Sequence, residues 1–138
     1  MDTEQIYEIL KNQLQFQGVF SANNLPARPG ILICNTDPSH KPGTHWIVIC
    51  VTEEGYGEYF DSFGRKPNKH FERYMNENCH RWIFNEKQLQ SRISAFCGFY
   101  CCVVVILKCR NISMRKKISM FTNDTGYNDW IVHRFLCK

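Results

Sequence analysis

Three side chains in this sequence have the types and the placement that thiol-based nucleophilic chemistry needs. Cys97 stands at the start of a long apolar segment, His45 opens a run of β-branched residues, and Asp61 closes the segment after the next turn. A thiol nucleophile requires a stabilised thiolate, a histidine that moves the proton, and an acid that orients the histidine. Each residue also has an ordinary interpretation, since buried cysteines are usually core residues and an Asp after a strand commonly forms a turn.

The placement of Cys97 is the first reason to consider this chemistry. Residues 97–110 (CGFYCCVVVILKCR) form a stretch too long for most strands, which predicts a buried helix that begins at the cysteine. Free N–H groups and the positive end of the helix dipole at such a start lower a thiol pKa. Gly98, the next residue, has no side chain and would let a substrate backbone approach closely.

A predicted β-hairpin brings His45 and an acid together. Residues 45–51 (HWIVICV) are apolar on both faces, as in a central strand, and residues 56–61 would pair with them after the turn at 53–55. Antiparallel pairing then places Asp61 within reach of residues 45 to 47, whereas Glu58 would pair nearer the middle of the strand. We therefore prefer Asp61 as the acid, with Glu58 as the alternative.

Other patterns supply the elements around this hairpin. They predict helices over 3–15 and 69–76 and strands over 31–34 and 82–84. Two further helical patterns lie between 112 and 138, one on Met114, Ile118 and Phe121 and the other on Tyr127, Trp130, Ile131 and Arg134. The order predicts an α+β fold: a small mixed β-sheet packed against a central helix that carries the nucleophile at its N-terminus, flanked by further helices. The length fits a single domain over residues 1–138.

Composition argues against several classes of protein. The sequence is 43% hydrophobic, but no apolar run approaches the about eighteen residues of a membrane span, so we expect no membrane association. The start, MDTEQIYEIL, is acidic and amphipathic, unlike a secretory signal, which predicts an intracellular protein that is not secreted. The eight cysteines are then expected as thiols. Their spacing lacks the paired ligands of a zinc site, so we rank that interpretation last and expect no metal.

The net charge of +4 comes largely from one basic cluster. It consists of five cations with no acid among them: Lys108, Arg110, Arg115, Lys116 and Lys117. Such a cluster can follow a phosphate backbone, which makes DNA a candidate partner. A solvated helix face explains the same residues equally well.

At the level of motifs, the chain resembles the adenovirus protease (adenain) family of cysteine proteases, especially its relatives in Polinton or Maverick elements and adenovirus-like viruses. The resemblance runs from about Gly18 to Leu107 and rests on three stretches: NTDPSHKPGTHWIVICV, YFDSFGRKP and QSRISAFCGFYCC. The family shares a clan with the proteases specific for ubiquitin-like proteins. The resemblance implies the adenain-like fold and a Cys-His-acid site.

The resemblance implies a role for each matching residue. The family's histidine, in a G-x-H-W motif, falls on His45, its acid on Asp61 of the D-S-F-G motif, and its nucleophile on Cys97 of the C-G-x-x-C motif. Its glutamine falls on Gln90, whose amide would join the Cys97 N–H group in an oxyanion hole. Without the resemblance, Gln88 is an equal candidate. Trp46 would wall a narrow cleft that selects glycine in the substrate.

The resemblance also implies a function. It predicts a cysteine endopeptidase, expected as a monomer, that cleaves after Gly in Gly-Gly or Gly-x-Gly sites and matures viral or transposon-encoded capsid precursors in the host nucleus or virion. The chemistry itself requires no cofactor. In the adenoviral branch an activating peptide forms a disulfide with a cysteine that matches Cys79, and DNA is a cofactor. The shorter chain, which lacks most of the adenoviral C-terminal extension, argues against both devices here.

Two other functions stay open. One is a deconjugase that removes a ubiquitin-like modifier, because proteases of the same clan cut after Gly-Gly. The other is a non-catalytic DNA- or capsid-binding module with the same fold. The short chain offers little surface for holding a folded modifier, which favours the endopeptidase.

Overall fold

The chain folds into one mixed β-sheet with helices on both of its faces. The computed structural model describes residues 1–36 and 45–137. Within these ranges it contains five strands, β1 (Phe16–Phe20), β2 (Gly30–Asn35), β3 (Trp46–Val51), β4 (Tyr56–Phe60) and β5 (Arg81–Phe84), and five helices, α1 (Thr3–Leu10), α2 (Lys69–Asn78), α3 (Cys97–Cys109), α4 (Met114–Ser119) and α5 (Thr125–Leu136). The α+β class predicted from the sequence, with the sheet against the central helix α3, is confirmed.

The central strand of the sheet is β3. The strands follow the order β1-β2-β3-β4-β5, with parallel pairing at the two edges and antiparallel pairing of β2, β3 and β4. Trp46, Val48 and Cys50 face α3, while the alternate residues Ile47, Ile49 and Val51 face α2. Every residue of β3 is buried, which explains why its sequence is apolar without alternation.

The register of the β3–β4 hairpin sets the spacing of the residues at its open end. Val48 pairs with Phe60, so position 61 follows opposite position 47 and near position 45. Glu58 instead pairs with Cys50 in the middle of the hairpin. Asp61 and Glu58 therefore lie in different parts of the molecule.

Helix α3 is the core of one side of the sheet. Nine of its residues are buried, among them Tyr100, Cys101 and Cys102. The helix begins at Cys97, and the preceding residue, Phe96, offers no side chain to cap it. The N–H groups of the first turn are therefore left for the Cys97 side chain and its surroundings.

The structure differs from the predicted elements near the start of the chain. Helix α1 ends at Leu10 rather than at residue 15, and residues 16–20 form strand β1, which was not predicted. Gly18 explains the error: it interrupts the apolar pattern of FQGVF, has φ +134° and lies at an irregularity in the pairing with β2. A β-bulge of this kind hides a strand from a periodicity argument.

The helical pattern predicted for α5 identifies its buried side only in part. Tyr127 and Trp130 stack on each other with ring centroids 5.6 Å apart and remain about half exposed. The buried residues of the helix are instead Asn128, Asp129 and Val132. Polar side chains point inward here because they bond to the segment before α3, as described below. Among the described residues, no helix combines the length and apolar character that would carry it across a bilayer.

A buried ion cluster holds α4 against the sheet. Lys117 is fully buried and donates to Glu58 Oε1 at 3.2 Å, and Lys108 at the end of α3 donates to Glu58 Oε2 at 3.0 Å. One carboxylate thus serves two ammonium groups. Because a buried ammonium group without a partner is costly, the position of α4 depends on Glu58.

Replacement of Glu58 by Ala should lower the free energy of unfolding by about 3 kcal/mol, because it leaves Lys117 buried without its carboxylate. Urea unfolding followed by circular dichroism measures the change. Glu54→Ala, at an exposed position of the same hairpin, is the control and should change stability by no more than about 0.5 kcal/mol. Equal losses in the two variants would show that the ion cluster does not stabilise the fold.

Candidate active site

The structure brings Cys97, His45 and Asp61 together at the open end of the β3–β4 hairpin. His45 Nε2 lies 2.7 Å from Asp61 Oδ1, and the His45 and Cys97 side chains are close enough to shift each other's pKa. Since Nε2 faces the acid, Nδ1 is the ring nitrogen left for the thiol. All three residues are buried, which limits their freedom to leave this arrangement. The order thiol, imidazole, carboxylate is the one that activates a nucleophile.

The pKa values of the thiol and the imidazole are shifted toward an ion pair. Burial opposes a charge on His45, but its hydrogen bonds and charge interactions with Asp61 and Cys97 raise its pKa to about 9. Burial also disfavours the Cys97 thiolate, yet the hydrogen bond to His45 and the backbone N–H groups of Trp46 and Gly98 lower the pKa of this thiol below its usual value. Both shifts favour the thiolate–imidazolium form of the pair over the neutral form.

The other cysteines with a shifted pKa are shifted in the opposite direction. Burial raises the pKa of Cys101 well above its usual value and that of Cys102 to about 12. Among the described cysteines with a shifted pKa, Cys97 alone is shifted downward. Its environment therefore distinguishes the candidate nucleophile from the remaining thiols.

Residues 61–64 form a turn that orients the imidazole. Asp61 Oδ1 accepts the Phe63 N–H group at 2.8 Å in addition to its contact with His45. The Phe63 ring stacks on the His45 ring with centroids 4.8 Å apart. Gly64 has φ +71°, and a Cβ atom there would lie 2.7 Å from a backbone atom of Lys87, so only glycine fits. The turn therefore holds the imidazole in two ways: the Asp61 carboxylate bonds to a ring nitrogen, and the Phe63 ring stacks on the face of the imidazole.

Asn85 fixes the backbone of the acid. The Asp61 N–H group donates to Asn85 Oδ1 at 2.9 Å, and Asn85 Nδ2 donates to the Asp61 carbonyl oxygen at 2.6 Å. Asn85 is buried and directly follows β5, so its side chain continues the pairing of β4 and β5 beyond the ends of the strands. The sequence analysis missed this residue. An Asn after a strand usually marks only a turn, and nothing else in the sequence distinguishes it.

Gln90 is buried and its side-chain amide is held at both ends. The Ser62 hydroxyl donates to Gln90 Oε1. Gln90 Nε2 donates to the Ser94 carbonyl oxygen at 3.0 Å and to the Ser94 hydroxyl at 3.2 Å. Gln88, the other glutamine considered, donates to the Gln90 carbonyl oxygen at 3.0 Å. The amide of Gln90 therefore faces the segment that leads directly into α3 and the nucleophile.

Trp46 and Gly98, which were predicted to line the cleft, both contact Met1. The Trp46 indole N–H group donates to the Met1 carbonyl oxygen at 3.2 Å. A Cβ atom on Gly98 would lie 3.0 Å from the Met1 Cβ atom, so Met1 fills the space next to this glycine. Both residues are buried, and it is their backbone N–H groups that reach the Cys97 sulfur. The contact with Met1 could not be predicted from sequence spacing.

Part of the predicted G-x-H-W motif cannot be placed: Gly43 and Thr44, like the other residues from 37 to 42, lie outside the described residues. In the ranges that are described, no group of three or more His, Cys, Asp or Glu side chains could hold a metal ion.

The residues predicted to bind an activating peptide or DNA are only partly exposed. The Cys79 sulfur packs against Gly57, and burial raises the pKa of this thiol, which makes it a weaker nucleophile than a free thiol. Of the basic cluster, Lys117 is buried and Lys108 is half-buried, and both bind Glu58. Arg110, Arg115 and Lys116 are exposed.

Comparison with known proteins identifies solved structures that share this fold. No family model and no curated protein matches the sequence. One crystal structure of the ASFV pS273R protease is 26% identical with a TM-score of 0.57, and the match covers 77% of this chain and 44% of that chain. A second crystal structure of this protease is 21% identical with a TM-score of 0.64, and the match covers 95% of this chain and 64% of that chain. The SUMO protease Ulp1, with its catalytic cysteine oxidised to a sulfonic acid, is 15% identical with a TM-score of 0.39, and the match covers 77% of this chain and 52% of that chain.

These matches define the class of fold. The mixed sheet with its flanking helices is the fold of the ASFV pS273R protease over the matched region. This chain spans between 44% and 64% of the length of the matched ASFV chains. The likeness therefore concerns the part of that protease which the present chain covers.

Replacement of Asp61 by Asn should lower the pKa of His45 from about 9, because it removes the charge and weakens the hydrogen bond that raise this pKa. The imidazolium would then lose its proton at a lower pH, and the alkaline limit of the thiolate–imidazolium pair would move in the same direction. An NMR titration of the His45 ring measures the shift. Asp124→Asn, at the exposed N-cap of α5, is the control. An unchanged His45 pKa in Asp61→Asn would contradict the role given to Asp61.

Proposed function

We propose that this protein is a cysteine endopeptidase that cleaves protein precursors after glycine, in Gly-Gly or Gly-x-Gly sites. The observation that carries the proposal is the arrangement at the start of a buried helix, where the Cys97 thiol, with its lowered pKa, lies beside His45, which in turn contacts Asp61. The likeness to the ASFV protease, at 26% identity, supports the choice of peptide-bond hydrolysis over other thiol chemistry.

The geometry supports a two-step mechanism. The Cys97 thiolate attacks the carbonyl carbon of the scissile bond, and the carbonyl oxygen takes up the negative charge. The His45 imidazolium then gives its proton to the leaving amine as the C–N bond breaks, which leaves an acyl group on the sulfur. In the second step His45 takes a proton from water, the resulting hydroxide attacks the acyl carbon, and Cys97 departs as a thiolate. Asp61 stabilises the imidazolium in both steps.

Gln90 is proposed as the side-chain donor of the oxyanion hole, together with the Cys97 N–H group. Its Nε2 atom carries two hydrogens, and the bond to the Ser94 carbonyl oxygen uses one of them. The second hydrogen is engaged by the Ser94 hydroxyl at the longer distance of 3.2 Å. To act as the oxyanion donor, this hydrogen would exchange the Ser94 hydroxyl for the substrate oxygen. Loss of such a donor typically lowers kcat about a hundredfold.

The substrate class is proposed from the motif resemblance to the adenain family. Capsid precursors of a virus or transposon, processed in the host nucleus or the virion, are the proposed substrates, and the viral source of the ASFV protease fits this view. The preference for glycine is proposed from the same resemblance, and the buried position of Cys97 supports it. A side chain next to the scissile carbonyl would have to pass Trp46 and Gly98, which are packed with Met1.

A fluorogenic Gly-Gly peptide should be cleaved, and a matched Ala-Ala peptide should be cleaved far more slowly. Cys97→Ala should abolish cleavage with an unchanged circular dichroism spectrum, because it removes the nucleophile and only one buried sulfur. Cys137→Ala, at an exposed thiol beyond α5, should retain activity. Cleavage that survives in Cys97→Ala would show that the nucleophile is misassigned. Conjugates of ubiquitin-like modifiers form a second arm, in which preferential release of the modifier would favour a deconjugase.

DNA binding is proposed only through the exposed part of the basic cluster. Because Lys117 is buried on Glu58, phosphate contacts are left to Arg110, Arg115 and Lys116. Arg115→Ala should therefore lower the slope of log K against log salt for duplex DNA by about 0.9. Lys69→Ala, an exposed cation on the opposite side of the sheet, should leave the slope unchanged. Equal slopes for Arg115→Ala and the parent protein, in a fluorescence anisotropy titration, would exclude this contact.

A further inference from the structure

We propose that Ser62 is a positioning residue that fixes the orientation of the Gln90 carboxamide and so presents its N–H groups to the reaction. The inference rests on the proposed function, because it takes Gln90 as an oxyanion donor. Ser62 is fully buried and directly follows Asp61, the acid of the site. Its hydroxyl donates to Gln90 Oε1.

The surroundings of Gln90 determine which way its amide faces. The Ser94 carbonyl oxygen can only accept a hydrogen bond, so the NH₂ end of the amide must face Ser94. The oxygen end then requires a donor, and the Ser62 hydroxyl supplies it. A rotated amide would place Oε1 against the Ser94 carbonyl oxygen and leave the buried hydroxyl without its acceptor. Unpaired buried polar groups of this kind are costly, which is why two partners suffice to hold one orientation.

The backbone around Gln90 does not depend on the Ser62 hydroxyl. The Ser62 carbonyl oxygen accepts the N–H groups of Leu89 at 2.9 Å and Gln90 at 3.0 Å, and both bonds would survive replacement by alanine. The Leu89 carbonyl oxygen also accepts the Tyr100 hydroxyl and Asn128 Nδ2, each at 3.1 Å. Helices α3 and α5 therefore hold this segment from its other side.

The residue after Gln90 is held in the same way. Asp129 Oδ1 accepts the Tyr100 hydroxyl at 2.7 Å and the Ser91 N–H group at 3.4 Å. The peptide groups on both sides of Gln90 are thus fixed by backbone, α3 and α5 contacts. Removal of the Ser62 hydroxyl should consequently free the side-chain amide alone.

This arrangement connects two parts of the catalytic machinery through adjacent residues. Asp61 orients the imidazole that transfers the proton, and Ser62 orients the amide that receives the oxyanion. The oxyanion contact strengthens as charge develops on the substrate oxygen. A misoriented amide should therefore reduce kcat while KM stays nearly constant.

The test compares Ser62→Ala, Gln90→Ala and the double variant in the peptide assay. Ser62→Ala should lower kcat about tenfold, and Gln90→Ala about a hundredfold. Because Ser62 acts through Gln90, the double variant should equal Gln90→Ala within about twofold. Ile49→Val, a buried substitution on the α2 side of the sheet, is a matched control for lost stability and should leave kcat unchanged.

A second readout does not require activity. The side-chain NH₂ signals of Gln90, identified by their absence from the NMR spectrum of Gln90→Ala, should exchange slowly with solvent in the parent protein. Ser62→Ala should accelerate this exchange, while the backbone N–H groups of Leu89 and Gln90 keep their protection.

The outcomes separate the two proposals. If the parent protein cleaves the peptide and Gln90→Ala has the same kcat, the oxyanion assignment fails and the role of Ser62 falls with it. If Gln90→Ala lowers kcat but Ser62→Ala changes neither kcat nor amide exchange, the proposed function stands and the positioning role is refuted. Fully additive effects in the double variant would also refute it, because they would show that Ser62 acts independently of Gln90.

Discussion

A buried imidazole keeps its proton more readily when a carboxylate compensates for the water it has lost. In this protein the contact between Asp61 and His45, at 2.7 Å, provides that compensation and offsets the effect of burial on the His45 pKa. The surrounding structure serves to place this carboxylate. The hairpin register brings position 61 to position 45, Asn85 fixes its backbone, and the turn that ends at Gly64 lays Phe63 on the imidazole.

The two acids of the β4 segment show how position decides the role of a residue. Glu58 lies in the middle of the hairpin, where its carboxylate binds Lys108 and the buried Lys117. Asp61 lies three residues further on, beyond the end of the strand, where its carboxylate binds the imidazole. One acid holds α4 against the sheet, and the other belongs to the candidate active site at the opposite end of α3. Because both are engaged, neither can replace the other.

The parts of the fold that were predictable are those with a strong local pattern. The apolar run of β3 and the long apolar segment of α3 each specify an element by themselves, and the hairpin then leaves little freedom for Asp61. Strand β1 was not predictable, because its glycine breaks the pattern and its partner β2 lies across a long loop. The outward position of Tyr127 and Trp130 was missed for a related reason: the inner face of α5 is polar and bonds to the segment around Gln90.

The sequence by itself determined the candidate nucleophile, its histidine and its preferred acid: helix length and hairpin geometry favoured these residues, and the motif resemblance to the adenain family singled them out. Only the tertiary structure decided which groups support them. Asn85, Ser62 and Asp129 are ordinary polar residues in the sequence, and they acquire roles because folding buries them against Asp61, Gln90 and Ser91. Buried polar atoms must find partners wherever the chain places them, and those partners lie far away in sequence. Such pairings therefore become visible only when the whole sheet and its helices are assembled.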